Sequence, residues 1–269
     1  MVIGGKNFDV QNETYVMGIL NITPDSFSDG GKWMEMDAAL AHTEEMIKEG
    51  ATIIDVGGES TRPGYETVSV DEETARVCPV IEEIKKRFDI PISLDTCKSA
   101  VAEAGIKAGA DMINDVYGFK FDEKLAQTVA DSDVVYCLVH NRKEAVYKDF
   151  MNDVLSDIEE SLEIAARAGI GYDRIIVDPG VGFGKTVEQN LELIGKLEEF
   201  HTFGLPLLLG TSRKSVIGET LDLPKDERLE GTLVTTAFAV AKKASFVRVH
   251  NVKENLRAVK MAKAILANS

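Results

Sequence analysis

The sequence predicts an α/β protein built as one single-domain (β/α)8 TIM barrel with a short N-terminal hairpin or cap, and three observations carry that expectation. Short apolar runs rich in Val, Ile and Leu alternate with stretches of helical period from Tyr15 to the end of the 269 residues, making eight βα units. Runs such as Ile175-Ile176-Val177 and Leu207-Leu208-Leu209 are apolar without alternation, as when helices cover one face of a parallel sheet and a packed interior fills the other. Eight units in a chain of this length match a closed barrel better than an open doubly wound sheet. No Ser/Pro-rich linker, charge block or low-complexity segment interrupts the series, so residues 1–269 read as one domain, with 1–14 as the cap and 15–269 as the barrel.

In chain order, residues 2–10 are glycine-containing and weakly alternating, which suggests the hairpin. The predicted strands are 15–20, 52–56, 91–95, 111–115, 133–139, 174–178, 205–210 and 245–249. The helices between and after them begin near Asp37, Asp71, Lys98, Asp122, Asn152, Thr186, Lys225 and Val252. Asp71-Glu72-Glu73 supplies negative charge to a helix start, and Glu82-Glu83 gives a solvated face.

With 30 Lys+Arg against 45 Asp+Glu the formal charge is −15, so a nucleic-acid backbone or an anionic membrane surface is repelled on average. An anionic substrate therefore needs a local cationic site. Cys78, Cys97 and Cys137 are an odd number without paired spacing, which argues against a disulfide framework and fits a reducing compartment. No signal peptide or long apolar run is evident, and the expected location is the cytoplasm.

In a parallel barrel every strand delivers its C-terminal end to one face, so distant polar residues converge there. The strand ends here give Asn21, Gly57 to Gly64, Asp95-Thr96, Asn114-Asp115, His140, Asp178-Pro179-Gly180, Thr211 to Lys214, and Arg248-Val249-His250. Helix capping explains Ser60, Thr96 or Ser215 singly, but it does not require Asp95, Asn114, Asp178, Lys214 and Arg248 at the ends of apolar strands. The loop Asn21-Ile-Thr-Pro-Asp-Ser-Phe-Ser-Asp-Gly-Gly31 holds turn-forming residues plus one aromatic, Phe27, which turn chemistry does not explain. Asp95, Asn114, Asp178 and Lys214 suit the donor and acceptor edge of a flat heterocycle. Arg248, His250 and the Ser60-Thr61 hydroxyls suit a phosphate or diphosphate, and Asn21 can offer an oxygen to a substrate-held Mg²⁺. Asp25 and Arg62 are placed on loops over the mouth.

Other signals are weaker. Gly180 to Thr186 ends like a nucleotide-binding P-loop, but the earlier glycine that motif needs is Pro179. The four histidines lack zinc-ligand spacing, and His42 and His201 fall on or near helices as surface residues. Cys97 has no adjacent base and reads as a small loop residue.

Met17 to Gly31, Gly57 to Gly64, Ile113-Asn-Asp115, Asp178 to Gly184, Gly210-Thr-Ser-Arg-Lys214 and Arg248-Val-His250 together resemble the dihydropteroate synthases, in order and along essentially the whole chain. The resemblance implies condensation of 4-aminobenzoate with (7,8-dihydropterin-6-yl)methyl diphosphate, releasing diphosphate. It implies that Thr61, Asp95, Asn114, Asp178, Lys214, Arg248 and His250 hold the pterin diphosphate, with Asn21 and Mg²⁺ on the diphosphate. It also implies a 4-aminobenzoate pocket of Phe27, Thr61, Arg62, Pro63, Phe183, Ser212 and Lys214, and catalytic roles for Asp25, Asp95, Asp178 and Lys214. Members are commonly homodimers and targets of sulfonamides.

Two other readings share the fold: a pterin-dependent methyltransferase with a corrinoid partner, and a pterin-binding paralogue without catalysis. Asn21, Asp25, Thr61, Arg62, Lys214 and Arg248, present together, argue against both. The chain departs from many members at Val139-His140, where a Met commonly precedes the His, and in the following Asn141-Arg-Lys-Glu144. Asn251 stands where Asp is frequent.

Overall fold

Strand formation follows the apolar runs. A computed structural model of the protein describes residues 1–22, 32–59 and 68–268, and of residues 32–35 only their place in a helix. Strands β1 (Val2–Ile3) and β2 (Lys6–Asn7) form an antiparallel hairpin. Then come β3 (Tyr15–Asn21), β4 (Ile53–Gly57), β5 (Ile92–Asp95), β6 (Met112–Asp115), β7 (Val135–Val139), β8 (Ile175–Asp178), β9 (Leu208–Leu209) and β10 (Phe246–Val249). These pair in parallel in the order β8-β7-β6-β5-β4-β3-β10-β9, and a parallel bridge from Val177 to Leu207 joins the two ends of the row. The sheet is a closed barrel of eight strands among the described residues.

The helices are α1 (Lys32–Glu49), α2 (Val70–Arg87), α3 (Ser99–Ala108), α4 (Leu125–Ala130), α5 (Phe150–Ala168), α6 (Val187–Gly195), α7 (Ser215–Leu221), α8 (Leu229–Ala241) and α9 (Val252–Leu266). Two have starts written plainly in side chains. Ser69 caps α2 by accepting from the Glu72 N–H at 3.2 Å, and Thr186 and Gln189 form a reciprocal capping box on α6.

Because side chains alternate along a strand, each strand feeds two apolar layers. Val16, Leu20, Ile54, Val56, Ile92, Leu94, Ile113, Leu138, Ile175, Val177 and Val247 pack outward against the helices. Met17, Ile53, Met112, Val135, Cys137, Ile176, Leu208 and Phe246 fill the interior, joined by Ile3 and Phe8 of the N-terminal segment. Phe8 lies 4.8 Å from the Tyr15 ring and 5.8 Å from that of Phe246, so the hairpin region plugs the N-terminal end of the barrel. The Ser245 hydroxyl donates to the Val10 carbonyl at 2.7 Å and the Thr14 hydroxyl to Ala244 at 2.7 Å, stitching the plug to the chain before β10.

The structure differs from the sequence expectation in four elements. Helix α1 begins at Lys32 rather than near Asp37, since Met34, Glu35 and Met36 continue the helix with no breaker among them. β9 has two residues where six were expected, because Pro206 has no N–H to donate; its carbonyl still accepts from Val177 at 2.9 Å. A 3-10 helix at Leu197–Phe203 and helix α7 lie where no helix was predicted, both too short to show a full amphipathic period.

The plug makes a stability prediction. Phe8→Ala should lower the unfolding free energy by about 3 kcal/mol through lost aromatic packing, seen as a lower urea midpoint in circular dichroism. The barrel spectrum of the folded variant should be unchanged.

Candidate active site

The upper barrel interior is polar where the lower interior is apolar. Asp55 in β4, Ser93 and Asp95 in β5, Asn114 in β6 and Asp178 in β8 are all buried and sit on the inward register of their strands. Arg248 reaches in from β10 and binds two of them, Nε to Asp55 Oδ2 at 2.6 Å and an Nη to Asp95 Oδ2 at 2.7 Å. Asp178 accepts from the Gly180 N–H at 2.7 Å.

Two glycines show how tightly the strand ends converge. A β-carbon placed on Gly210 would stand 3.5 Å from Asp178 Oδ2 and 3.8 Å from both Arg248 Cβ and Lys214 Nζ. One placed on Gly57 would stand 3.6 Å from Asp95 Cβ and 3.7 Å from Asn21 Oδ1. Asn21, Asp95, Asp178, Lys214 and Arg248 therefore surround one mouth, as their places at strand ends predict. Among the described residues, the buried oxygens Asp55 Oδ1, Ser93 Oγ, Asp95 Oδ1 and Asn114 Oδ1 have no hydrogen-bond partner within the chain. Orphaned acceptors under a mouth suit a ligand that brings N–H donors.

Asp55, Asp95 and Asp178 face Arg248 and Lys214, and the Lys185 charge also acts on Asp178. Burial pushes the Asp95 carboxyl up to about 7; Arg248 pulls it down, and Asp55 adds to the rise. Burial also raises Asp178, opposed by Lys214. Lys214 is brought down to about 8 by burial, against the pull of Asp178. Its ammonium donates to the Val181 carbonyl at 2.5 Å and lies 4.5 Å over the Phe183 ring.

On the next strand ends, Ser212 Oγ lies 3.0 Å from His250 Nδ1 and accepts from the His250 N–H at 3.2 Å, so these two expected site residues meet. Arg213 binds Asn251 Oδ1 through Nε at 3.2 Å and an Nη at 2.7 Å. An amide oxygen thus serves where Asp is frequent. Asp25, Phe27, Thr61, Arg62 and Pro63 lie outside the described residues. The stems of the second loop are described: Lys98 Nζ donates to Glu59 at 2.5 Å, to Glu73 at 2.7 Å and to the Val68 carbonyl at 2.7 Å.

Two strand-end residues turn away from the mouth. Asp115 accepts from the Tyr136 hydroxyl at 2.6 Å and from the Phe119 and Tyr117 N–H groups at 2.7 and 2.8 Å, and so braces the turn after β6. His140 faces α5, where Nε2 meets Asp157 at 2.9 Å, while Nδ1 receives a bond from Lys185 Nζ at 2.8 Å. Its neighbour Val139 is buried within the barrel interior. Arg142, part of the departing stretch, binds Asp157 through Nε at 2.5 Å and an Nη at 3.0 Å. Cys97 is no nucleophile by its surroundings, since burial pushes its thiol far above the usual range.

Sequence reasoning missed Asp55, Ser93 and Lys185. Asp55 carried a signal, a lone carboxylate inside the buried run Ile53-Ile54-Asp55-Val56. Ser93 and Lys185 carried none separable from ordinary strand and loop residues. Asn21, half-buried at the end of β3, offers one neutral oxygen beside Asp95. That donor fits Mg²⁺ held mainly by substrate phosphates and water; among the described residues no cluster of three or more His, Cys, Asp or Glu could hold a metal alone.

A profile of the family described as pterin binding enzymes matches residues 17–250. A dihydropteroate synthase of Clostridium beijerinckii is 56% identical over 267 residues, covering 99% of each chain. The solved structure of a dihydropteroate synthase from Clostridium difficile, in the presence of pteroic acid, superposes with a TM-score of 0.94 at 48% identity, covering 96% of this chain and 99% of that one. One from Xanthomonas albilineans, with 4-aminobenzoic acid, gives 0.91 at 39% identity over 96% of this chain and 94% of that one.

The His140 network sets an acid limit. Burial holds the His140 imidazole down to about 4, well below its ordinary 6.5. Between those values the unfolded chain takes up a proton that the folded one refuses, so stability falls as pH drops from about 6.5 towards 4. The loss should reach about 3 kcal/mol. Chemical unfolding at pH 7, 5.5 and 4.5 measures it, and His140→Gln, if it folds, should flatten that part of the curve.

Proposed function

This chain belongs to the dihydropteroate synthases, within the pterin-binding enzyme family, and from that premise we propose how its own residues divide the work. The reaction joins 4-aminobenzoate to (7,8-dihydropterin-6-yl)methyl diphosphate and releases diphosphate.

The orphaned acceptors under the mouth are the observation that carries the assignment. Asp95, Asn114 and Asp178 accept from the N–H edge of the pterin, and Lys214 donates to its carbonyl oxygen. The aniline nitrogen of 4-aminobenzoate has its own lone pair at neutral pH, so no strong general base is needed. As the C–O bond to diphosphate weakens, positive charge grows on the pterin methylene and negative charge on the leaving group. The carboxyl groups of Asp95 and Asp178, the nearest, favour the first. Arg248 already binds Asp55 and Asp95, so it meets the diphosphate through its remaining N–H groups, beside His250 and Thr61. Mg²⁺ held by the substrate and Asn21 would neutralise charge on the departing diphosphate.

The ring of Phe183 beneath Lys214, together with Ser212, forms the described side of the 4-aminobenzoate pocket. Phe27, Thr61, Arg62 and Pro63 complete it, and Asp25 joins the catalytic carboxylates. Sulfonamides, which mimic 4-aminobenzoate, should compete there. Val234 and Phe238, exposed four residues apart on α8, support pairing with a second copy. Among the described residues no helix is long and apolar enough to cross a membrane.

The test is diphosphate release from the pterin diphosphate with Mg²⁺, with and without 4-aminobenzoate. Release that depends on 4-aminobenzoate and equals dihydropteroate formed is expected; a folded protein that binds pterin and releases nothing would overturn the assignment. Lys214→Ala should cut turnover at least ~100-fold with the barrel spectrum intact.

A further inference from the structure

The loop after β8 carries Asp178, Val181 and Phe183, and the amine of Lys185 is folded back beneath it. Lys185 Nζ donates to the Gly180 carbonyl at 2.9 Å, the Phe183 carbonyl at 3.0 Å and His140 Nδ1 at 2.8 Å, which uses all three N–H bonds of an ammonium. The two carbonyls bracket Val181, whose own carbonyl receives Lys214, and one belongs to Phe183, whose ring underlies Lys214. We propose that Lys185 is a positioning residue for the reaction: its ammonium pins the loop from Gly180 to Lys185 onto His140, and so sets Val181 and Phe183 where they orient Lys214.

The anchor is itself anchored. His140 is held by Asp157, and Asp157 by Arg142, which stacks 4.4 Å over the Tyr147 ring. The Tyr147 hydroxyl donates to the Gly184 carbonyl at 2.9 Å, which returns the chain of contacts to the same loop. The closest approach admits only glycine: Gly180, at φ 73°, has the His140 carbonyl oxygen 1.7 Å from where a β-carbon would be. The inference rests on the reading of Lys214 as a substrate-binding group.

A neutral amine has two N–H bonds, so losing the proton releases one of the three attachments. Burial draws Lys185 down to about 7. Asp178 from its own loop and Asp157 from α5 favour the proton; Lys214 from the loop after β9 and Arg142 from the loop after β7 oppose it. His140 stays neutral throughout. The attachment is complete below about pH 7 and slackens above it.

The experiment is kcat/KM for 4-aminobenzoate at saturating pterin diphosphate, from pH 6 to pH 9, for the wild type, Lys185→Met and Asp157→Asn. Lys185→Met should fall about tenfold below the wild type at pH 6, with the gap closing towards pH 9 as the wild type sheds the same proton. Asp157→Asn removes a charge that favours the Lys185 proton and does not act on Lys214, so the wild-type decline should move to lower pH. A constant ratio across pH together with an unmoved Asp157→Asn profile would overturn the proposal and leave Lys185 a structural residue. If Lys185→Met does not fold, the Asp157→Asn profile decides alone. A wild type with no 4-aminobenzoate-dependent release would overturn the functional reading, and this inference with it.

Discussion

One guanidinium held between two buried carboxylates organises the mouth of this barrel. Arg248 crosses the interior from β10 to Asp55 on β4 and Asp95 on β5, two and three strands away in the sheet. Neither carboxylate could be buried ionised without it, and its planar fork serves both at once. The arrangement fixes Asp95. The orphaned oxygens of Asp55, Asp95 and Asn114 leave the barrel interior with acceptors that the described residues do not satisfy.

Around that centre, the loops are set by contacts that leave no freedom for side chains. The turn after β8 passes so close to the His140 and Arg142 carbonyls that Gly180 and Gly184 admit no side chain, and this path puts Phe183 beneath Lys214. Ser212 and His250 hold each other at the neighbouring strand ends. The division of labour runs outward from the axis: residues on the inward register face the mouth, while His140 and Asp115, one residue further along, meet helices or turns.

That one-residue rule explains how far the sequence could be read. Asn114 and Asp115 are adjacent and equally polar, yet their side chains serve opposite faces of the sheet, and only register separates them. The strands, their order and the convergence of Asp95, Asp178, Lys214 and Arg248 followed from alternation and parallel topology. Asp55 was readable as a charge out of place in an apolar strand. Lys185 was not, because nothing separates it from an ordinary loop residue, and its partners lie 45 residues earlier in His140 and back within its own turn. The start of α1 and the brevity of β9 turned on local detail, the unbroken run before Asp37 and the missing N–H of Pro206, which a periodicity reading does not register.

The hairpin plug has a consequence for traffic. With Ile3 and Phe8 filling the opposite end, the barrel interior is closed there among the described residues. On the proposed assignment both substrates and both products would share the mouth at the strand ends, with the heterocycle, nearest the axis, the deeper guest.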